Sequence, residues 1–303
     1  MDFKNNSTLD IILNALFNKY RENVKDVKKI TQELIDRGVI QRQSDIVNDH
    51  IAFRTLGVKH LGIQSLEKIF IRHGYQQKDR YHFESKKLDA NWYAPPSSEY
   101  PRVFISELRV HELSASAQKI INKYTRSITG DPVNALDLND GNAVGSFLHK
   151  PLWETPTKEE YGTLLKESEY AAWVIYNRYY LNHYTISVHA LPEGYNTLEE
   201  FNRFLEETGI ILNTAGGKIK ISKDGLLRQS SSVSALKKAR FSCGQTAEIA
   251  GSYVEFAERK VLPQYRHLPL SQIKSVHRRE GFETQNADKI FESTYSDQTM
   301  KNR

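Results

Sequence analysis

The sequence predicts an α+β fold in which a helical start is followed by two strand–helix–strand units, with a helical connection between them. Three observations carry this expectation. Apolar residues recur at helical spacing through residues 8–37. Two segments of strand character, at 49–56 and 182–191, each open a run of strand, helix and further strands. Between these runs, a glycine- and proline-bearing stretch gives way to renewed helical periodicity at 157–180.

The first helix is expected from STLDIILNALFNKY, where Ser7 or Thr8 can cap and Ile11, Ile12, Ala15, Leu16 and Tyr20 share a face. A second follows through Val24, Val27, Ile30, Leu34 and Ile35 and stops at Gly38. DHIAFRTL (49–56) sets Ile51 and Phe53 on one side of a strand and Ala52 and Arg54 on the other. A helix at 62–73 and strands at 88–95 and 102–110 complete the first unit, with Pro95, Pro96 and Pro101 punctuating the strands. Residues 114–127 return to helix, and 128–156 read as a long connection. In the second unit, NHYTISVHAL is a strand, 197–209 an amphipathic helix ended by glycine, and GGKIKIS, LLRQSSSVS and SYVEFAER are strands. The repeat lies in element order and not in letters. The expected divisions are 1–40, a helical segment; 41–127, the first unit; 128–180, connection and helices; 181–260, the second unit; and 261–303, a tail packed on both units. Within the tail only NADKIFEST reads as helical.

Composition narrows the function classes. A chain of 303 residues buries about 75% of its unfolded surface without staples, and its one cysteine, Cys243, forms no internal disulfide. The first twenty residues lack the pattern of a secretory signal, and no run of 18 apolar residues occurs, so the expected setting is the cytoplasm with no membrane partner. The formal charge of +5 comes from 42 basic and 37 acidic residues interspersed along the chain, which argues against a nucleic-acid partner. No phosphate-binding glycine loop, nucleophile elbow or HExxH motif is present.

Two of the ten histidines stand apart. His50, in VNDHIAF, and His183, in YLNHYTI, each follow Asn or Asn-Asp and each begin the first strand of a unit. Such a neighbour can hold one ring nitrogen and leave the other for a metal. The plain alternative is a pair of hydrogen-bonded strand histidines, and it is the matched placement that favours ligands. Carboxylates in the last strand of each unit, Glu107 in VFISELRV and Glu255 in SYVEFAER, lie among apolar residues where an unpaired charge costs several kcal/mol, roughly. Glu107 has Arg109 or Arg54 as a possible ion-pair partner, whereas Glu255 is the better ligand if Glu258 and Arg259 pair with each other. Two histidines and one carboxylate on one face suit iron(II), with positions open for a 2-oxo acid and dioxygen; zinc prefers tetrahedral closure. Arg54, four residues beyond His50 and about 13 Å along the same strand face, can hold a carboxylate or form an internal salt bridge to Glu107. Ser230 and Ser231, within QSSSVS, offer hydroxyls and amides to a substrate carboxylate or make a plain polar strand.

Jointly, VNDHIAFRTL, PRVFISEL, LNHYTISV, LLRQSSSVS, SYVEFAER and GFETQNADKIFEST resemble the 2-oxoadipate dioxygenase/decarboxylase family of the vicinal oxygen chelate superfamily, over about residues 40 to 295. The resemblance implies paired βαβββ modules forming a half-open barrel around a metal site, with N-terminal and linker helices added. It also implies Fe(2+) held by His50, His183 and Glu255, with Arg54 on the substrate. The implied reaction turns 2-oxoadipate and dioxygen, or a related 2-oxo acid, into 2-hydroxyglutarate and carbon dioxide, a step of lysine breakdown. The competing expectations are a glyoxalase-type lyase or isomerase with Glu107 as fourth ligand, and a non-catalytic small-molecule binder on the same scaffold.

Overall fold

A computed structural model describes residues 3–4 and 6–300 of the chain. Helix α1 (Thr8–Asn23) begins at a capping box in which Ser7 Oγ accepts from the Asp10 amide and the Asp10 carboxylate accepts from the Ser7 amide. Helix α2 (Lys25–Asp36) presents Val27, Ile30 and Leu34 to the core. Tyr20 of α1 anchors this start to the sheet, because its hydroxyl donates to the Tyr253 carbonyl.

Strand β1 (Asn48–Leu56), helix α3 (Ile63–Arg72) and strands β2 (Gln76–Phe83), β3 (Leu88–Ala94) and β4 (Arg102–Leu108) form the first unit. Strand β2 was not expected from the sequence. Helix α4 (Ala115–Thr125) follows β4. Within the connection lies α5 (Gly141–Phe147), whose Gly141 and Gly145 meet α1 closely: a Cβ on Gly145 would stand 2.7 Å from that of Ala15. These two glycines therefore form a helix seam and not merely a loop. Helices α6 (Lys158–Glu167) and α7 (Glu169–Asn177) precede the second unit. That unit comprises β5 (His183–Ser187), α8 (Leu198–Glu207), β6 (Lys220–Ile221), β7 (Leu227–Ser231), an added hairpin of β8 (Leu236–Arg240) and β9 (Thr246–Ala250), and β10 (Tyr253–Arg259). Two short helices, α9 (Thr284–Phe291) and α10 (Ser296–Thr299), end the described chain.

Eight strands make one curled sheet, a half-open barrel, in the order β2-β3-β4-β1-β5-β10-β7-β6. The units repeat each other in pairing. β1 runs parallel to β4 as β5 runs parallel to β10, and the units join where β1 meets β5 antiparallel. The alternation of β1 decides which residues face inward. Phe53 packs outward on Phe70 of α3, with ring centres 5.6 Å apart, so His50 and Arg54 share the concave face. On β10, Phe256 packs outward on Phe201 of α8, and Glu255 points inward. Each such buried aromatic contributes about 1.5–3 kcal/mol by leaving water. The concave face is capped by α9, whose Phe291 stacks on Phe83 of β2 at 5.2 Å.

Candidate metal centre

Strand β1 of the first unit and strands β5 and β10 of the second bring His50, His183 and Glu255 together on the concave face, all buried, with candidate donor atoms within 4.8 Å of one another. Nε2 of His183 lies 3.0 Å from Glu255 Oε2 and 3.3 Å from Nε2 of His50, which is 3.5 Å from Glu255 Oε1. Three cis donors each about 2.1 Å from one cation stand roughly 3 Å apart, so the triangle has the dimensions of a metal site.

The supporting hydrogen bonds point the same way. Asp49 Oδ1 lies 2.8 Å from Nδ1 of His50, and Asn182 Oδ1 lies 3.0 Å from Nδ1 of His183. A carboxylate can only accept, so the His50 proton sits on Nδ1 and the Nε2 lone pair faces the centre. Burial pushes the Asp49 carboxyl up, but the charges of Arg259 and Arg102 outweigh it and hold the group well below the usual carboxylate range. Arg259 grips Asp49 at 2.6 and 2.9 Å. Glu255 accepts from Gln229 Nε2 at 2.7 Å, and Gln229 Oε1 in turn accepts from Asn286 of α9 at 3.0 Å. Burial raises Glu255 as well, but the two imidazoles more than offset this and keep it ionised. Burial and the Glu255 charge act oppositely on the imidazoles; the net effect raises His50 and lowers His183.

Arg54 is 1% exposed and faces inward, yet among the described residues no carboxylate pairs with it. Its Nη atoms donate to Thr294 Oγ1 and the Phe291 carbonyl, each at 2.9 Å, and its Nε has no hydrogen-bond partner. The guanidinium is packed against the rings of Tyr170 and Trp173, 5.1 and 5.3 Å from their centres. Ser231 stands opposite Glu255 in the sheet and faces Ser293 at 2.8 Å. Ser230 does not face the triad: one residue out of phase, it points outward and donates to Asn202 of α8.

Two expectations about acids do not hold. Glu107 is neither a fourth ligand nor a partner of Arg54. It faces outward, and its Oε2 accepts the Ile63 amide at 2.8 Å at the start of α3. There it presses on Gly62, whose φ of +83° and lack of a Cβ allow the approach. The register explains the error. Glu255 pairs with Thr185, two residues after His183, and the residue paired two after His50 is Phe104. Glu107 lies three residues further along, an odd number, and so faces the other way. Nor do Glu258 and Arg259 pair with each other. Adjacent strand residues point apart, so Glu258 meets Arg228 at 3.0 Å while Arg259 reaches Asp49. Sequence reasoning gave Phe104, Gln229, Arg259, Phe282 and Asn286 no role at the centre. The Asn-Asp before His50 was the available signal for Asp49; nothing local marked the others, which come from distant segments.

Phe104, Tyr253, Phe282, Ile290 and Phe291 close an aromatic and aliphatic cavity of about 20 Å³ over the triad. A two-unit curled sheet holding a buried two-histidine, one-carboxylate centre has the donor set of a metal-dependent enzyme. Residues 12–274 match the sequence profile described as 2-oxoadipate dioxygenase/decarboxylase, and the chain belongs to that family. It is 46% identical over 264 residues to the chloroplastic 2-oxoadipate dioxygenase/decarboxylase of Arabidopsis thaliana, covering 84% of this chain and 69% of the relative. It is 45% identical over 267 residues to the chloroplastic/amyloplastic protein of the same description from Oryza sativa subsp. japonica, covering 84% and 71%. A crystal structure of hydroxyglutarate synthase in complex with 2-oxoadipate from Oryza sativa superposes with a TM-score of 0.86 and 40% identity, covering 96% of this chain and 93% of that one.

The relatives overturn the cytoplasmic expectation, since both are named for plastids. One cysteine and the lack of a long apolar run do not distinguish one aqueous, reducing compartment from another. Among the described residues no helix is long and apolar enough to cross a membrane.

Proposed function

We propose that this chain is a non-haem iron(II) dioxygenase that converts 2-oxoadipate and dioxygen to 2-hydroxyglutarate and carbon dioxide. The observation that carries this reading is the three-donor centre, with Phe104 standing where a first unit matching the second would place a fourth donor. His50, His183 and Glu255 would hold the iron, which supplies the redox chemistry with dioxygen that protein side chains lack.

The remaining roles belong to the chain itself. Asp49 and Asn182 fix the two imidazoles, and Gln229 fixes the carboxylate. Arg54 has two donors engaged and an unpartnered Nε, which fits a carboxylate grip that turns encounter into positioning. Ser231 adds a hydroxyl beside Glu255. Phe104, Phe282 and Phe291 exclude water from the reacting carbons. The stoichiometry balances: one oxygen atom enters the new carboxylate, the other becomes the hydroxyl, and the original carboxyl leaves as carbon dioxide.

The test uses anaerobically purified, iron-loaded protein. Dioxygen consumed, carbon dioxide released and 2-hydroxyglutarate formed are expected in equal amounts, with all three lost in His183→Ala. Turnover without dioxygen, or iron-loaded protein that consumes none with any 2-oxo acid, overturns the reading.

A further inference from the structure

One helix separates the triad from an outer cleft. The cavity over the triad, about 20 Å³, has room for about one water molecule and none for the carbon chain of a 2-oxo acid. Its sheet walls, from His50 on β1 to Gln229 on β7, all stand on internal strands paired on both sides. The rest of the wall is Phe282 and one face of α9, made of Ala287, Ile290 and Phe291. The opposite face of α9, with Gln285, Asp288 and Lys289, lines a cleft of about 740 Å³ beside β6 and the β2–β3 hairpin, and Gln285 there is exposed. The two sets follow helical spacing, so the partition is a single helix thick.

The two halves of α9 are held unequally. Glu283, its N-cap, makes no capping hydrogen bond, which leaves the first turn weak. Two side-chain contacts close this half. Asn286 Nδ2 donates to Gln229 Oε1 at 3.0 Å on the inner side. On the outer side Lys86, from the turn between β2 and β3, meets Asp288 at 3.2 Å and Glu292 at 3.0 Å and is itself only 12% exposed. The flanks are firmer. Phe282 donates its amide to Tyr81 Oη at 3.1 Å and sets its ring 4.8 Å from that of His50. Beyond the weak half, the Lys289 and Phe291 carbonyls accept from Asn213 and Arg54, each at 2.9 Å. Unwinding residues 283–288 lengthens the chain from about 1.5 to about 3.3 Å per residue. That slack lets the segment bulge into the cleft with both ends fixed. The gap then opens beside Gln229, which holds Glu255.

We propose that the N-terminal half of α9 is a lid, which unwinds into the cleft to admit a 2-oxo acid and rewinds over it, with Lys86 as its outer latch. This rests on the reading of the centre as a 2-oxo acid oxygenase. The internal strands offer no comparable door, because opening them would break backbone pairing on two sides.

The test uses full-length, iron-loaded wild type, Glu283→Ser and Lys86→Met under argon. Serine supplies the missing cap and should slow deuterium exchange at the amides of residues 287–289 about fivefold. Lys86→Met removes the latch and should speed it about fivefold. The buried helix α7 should exchange alike in all three, which also shows that each is folded. Binding of 2-oxoadipate is followed by stopped-flow tryptophan fluorescence, since the Trp173 ring centre lies 5.3 Å from the Arg54 guanidinium. Association and dissociation should both slow in Glu283→Ser and both quicken in Lys86→Met. Kd should stay within about twofold, because a gate changes passage and not the final complex. Exchange that follows the variants while the binding rates do not would overturn the proposal. So would a Lys86→Met protein in which only dissociation changes, the mark of a ligand contact. Rates and exchange that respond as expected, in protein that consumes no dioxygen in air, would sink the oxygenase reading and leave the lid standing.

Discussion

Replacing Asp49 with asparagine is expected to damage metal binding more than replacing it with alanine, although asparagine is the closer mimic. The reason lies in donor counting. Asp49 Oδ1 accepts from His50 Nδ1 at 2.8 Å and from Arg259 Nη2 at 2.9 Å. Oδ2 accepts from Arg259 Nε at 2.6 Å, with Arg102 Nη1 a further 3.6 Å away. Asparagine has one oxygen, and two guanidinium groups compete for it at the Oδ2 position. The amide NH2 then faces His50, so Nδ1 must accept and the proton moves to Nε2, the atom aimed at the metal. Alanine removes the partner but leaves His50 free to keep its proton on Nδ1. Loss of such a partner costs about 10- to 100-fold in metal affinity; Asp49→Asn should lie at or beyond the far end of that range and Asp49→Ala near its start. Both variants leave the buried Arg259 charge without its carboxylate and should lose about 3–5 kcal/mol of stability, on the order of 5–10 °C in Tm for a chain of this size. Anaerobic titration of iron(II) against a competing chelator, with Tm measured in parallel, separates the two effects. An Asn variant that binds iron like wild type, or more tightly than the Ala variant, refutes the tautomer argument.

Phe104→Glu tests the three-donor arrangement by placing a carboxylate at the position related to Glu255; iron affinity is expected to hold or rise while dioxygen consumption falls at least about tenfold. Turnover at the wild-type rate would show that the fourth place is not what matters; loss of the Phe104 contact with Phe282, at 4.9 Å, costs about 3–5 kcal/mol and is followed by Tm. A third prediction concerns acid stability. Burial raises the Glu160 carboxyl, but hydrogen bonds from Lys123, Tyr124 and Thr157 outweigh it and bring its pKa down to about 2. A carboxylate with a depressed folded pKa stabilises fully above its unfolded value of 4.5 and loses that contribution as pH falls towards about 2. Linkage sets an upper limit of about 3 kcal/mol, and solvent screening of the partly exposed pair reduces it to about 1–2 kcal/mol. Glu160→Gln should therefore be less stable near neutrality and show a flatter denaturation curve between pH 4.5 and 2; an identical acid limb in both proteins would count against it.

Much of this was legible in the sequence where local pattern and chemistry coincide. His50 and His183 could be read because each begins a strand behind a polar neighbour, and that neighbour is the one that holds its ring. Helix α8 was legible from its stripe of Leu198, Phe201 and Leu205, all buried. Phase was harder. Glu107 and Glu255 look alike as acids among strand residues, and only the register shows that one faces the helix layer and the other the metal site. Strand β2 escaped notice because QQKDRYHF is an edge strand with only Phe83 buried, so it carries no alternation. The partner of Arg259 lies 210 residues away, a separation that local spacing does not encode.

The two units are built alike but contribute unlike groups. At related positions, Asp49 supports His50 whereas neutral Asn182 supports His183, and Glu255 of the second unit is answered by Phe104 in the first. Asp49 is neutralised by Arg259, so it adds no net negative charge to the interior. What remains on the concave face is the Glu255 carboxylate beside Arg54, a buried cation with no acid partner among the described residues. Those two charges balance, so a divalent metal at the triad would add a buried surplus of positive charge, which is stable only with anionic company. On the proposed function that company is the carboxylate of the 2-oxo acid.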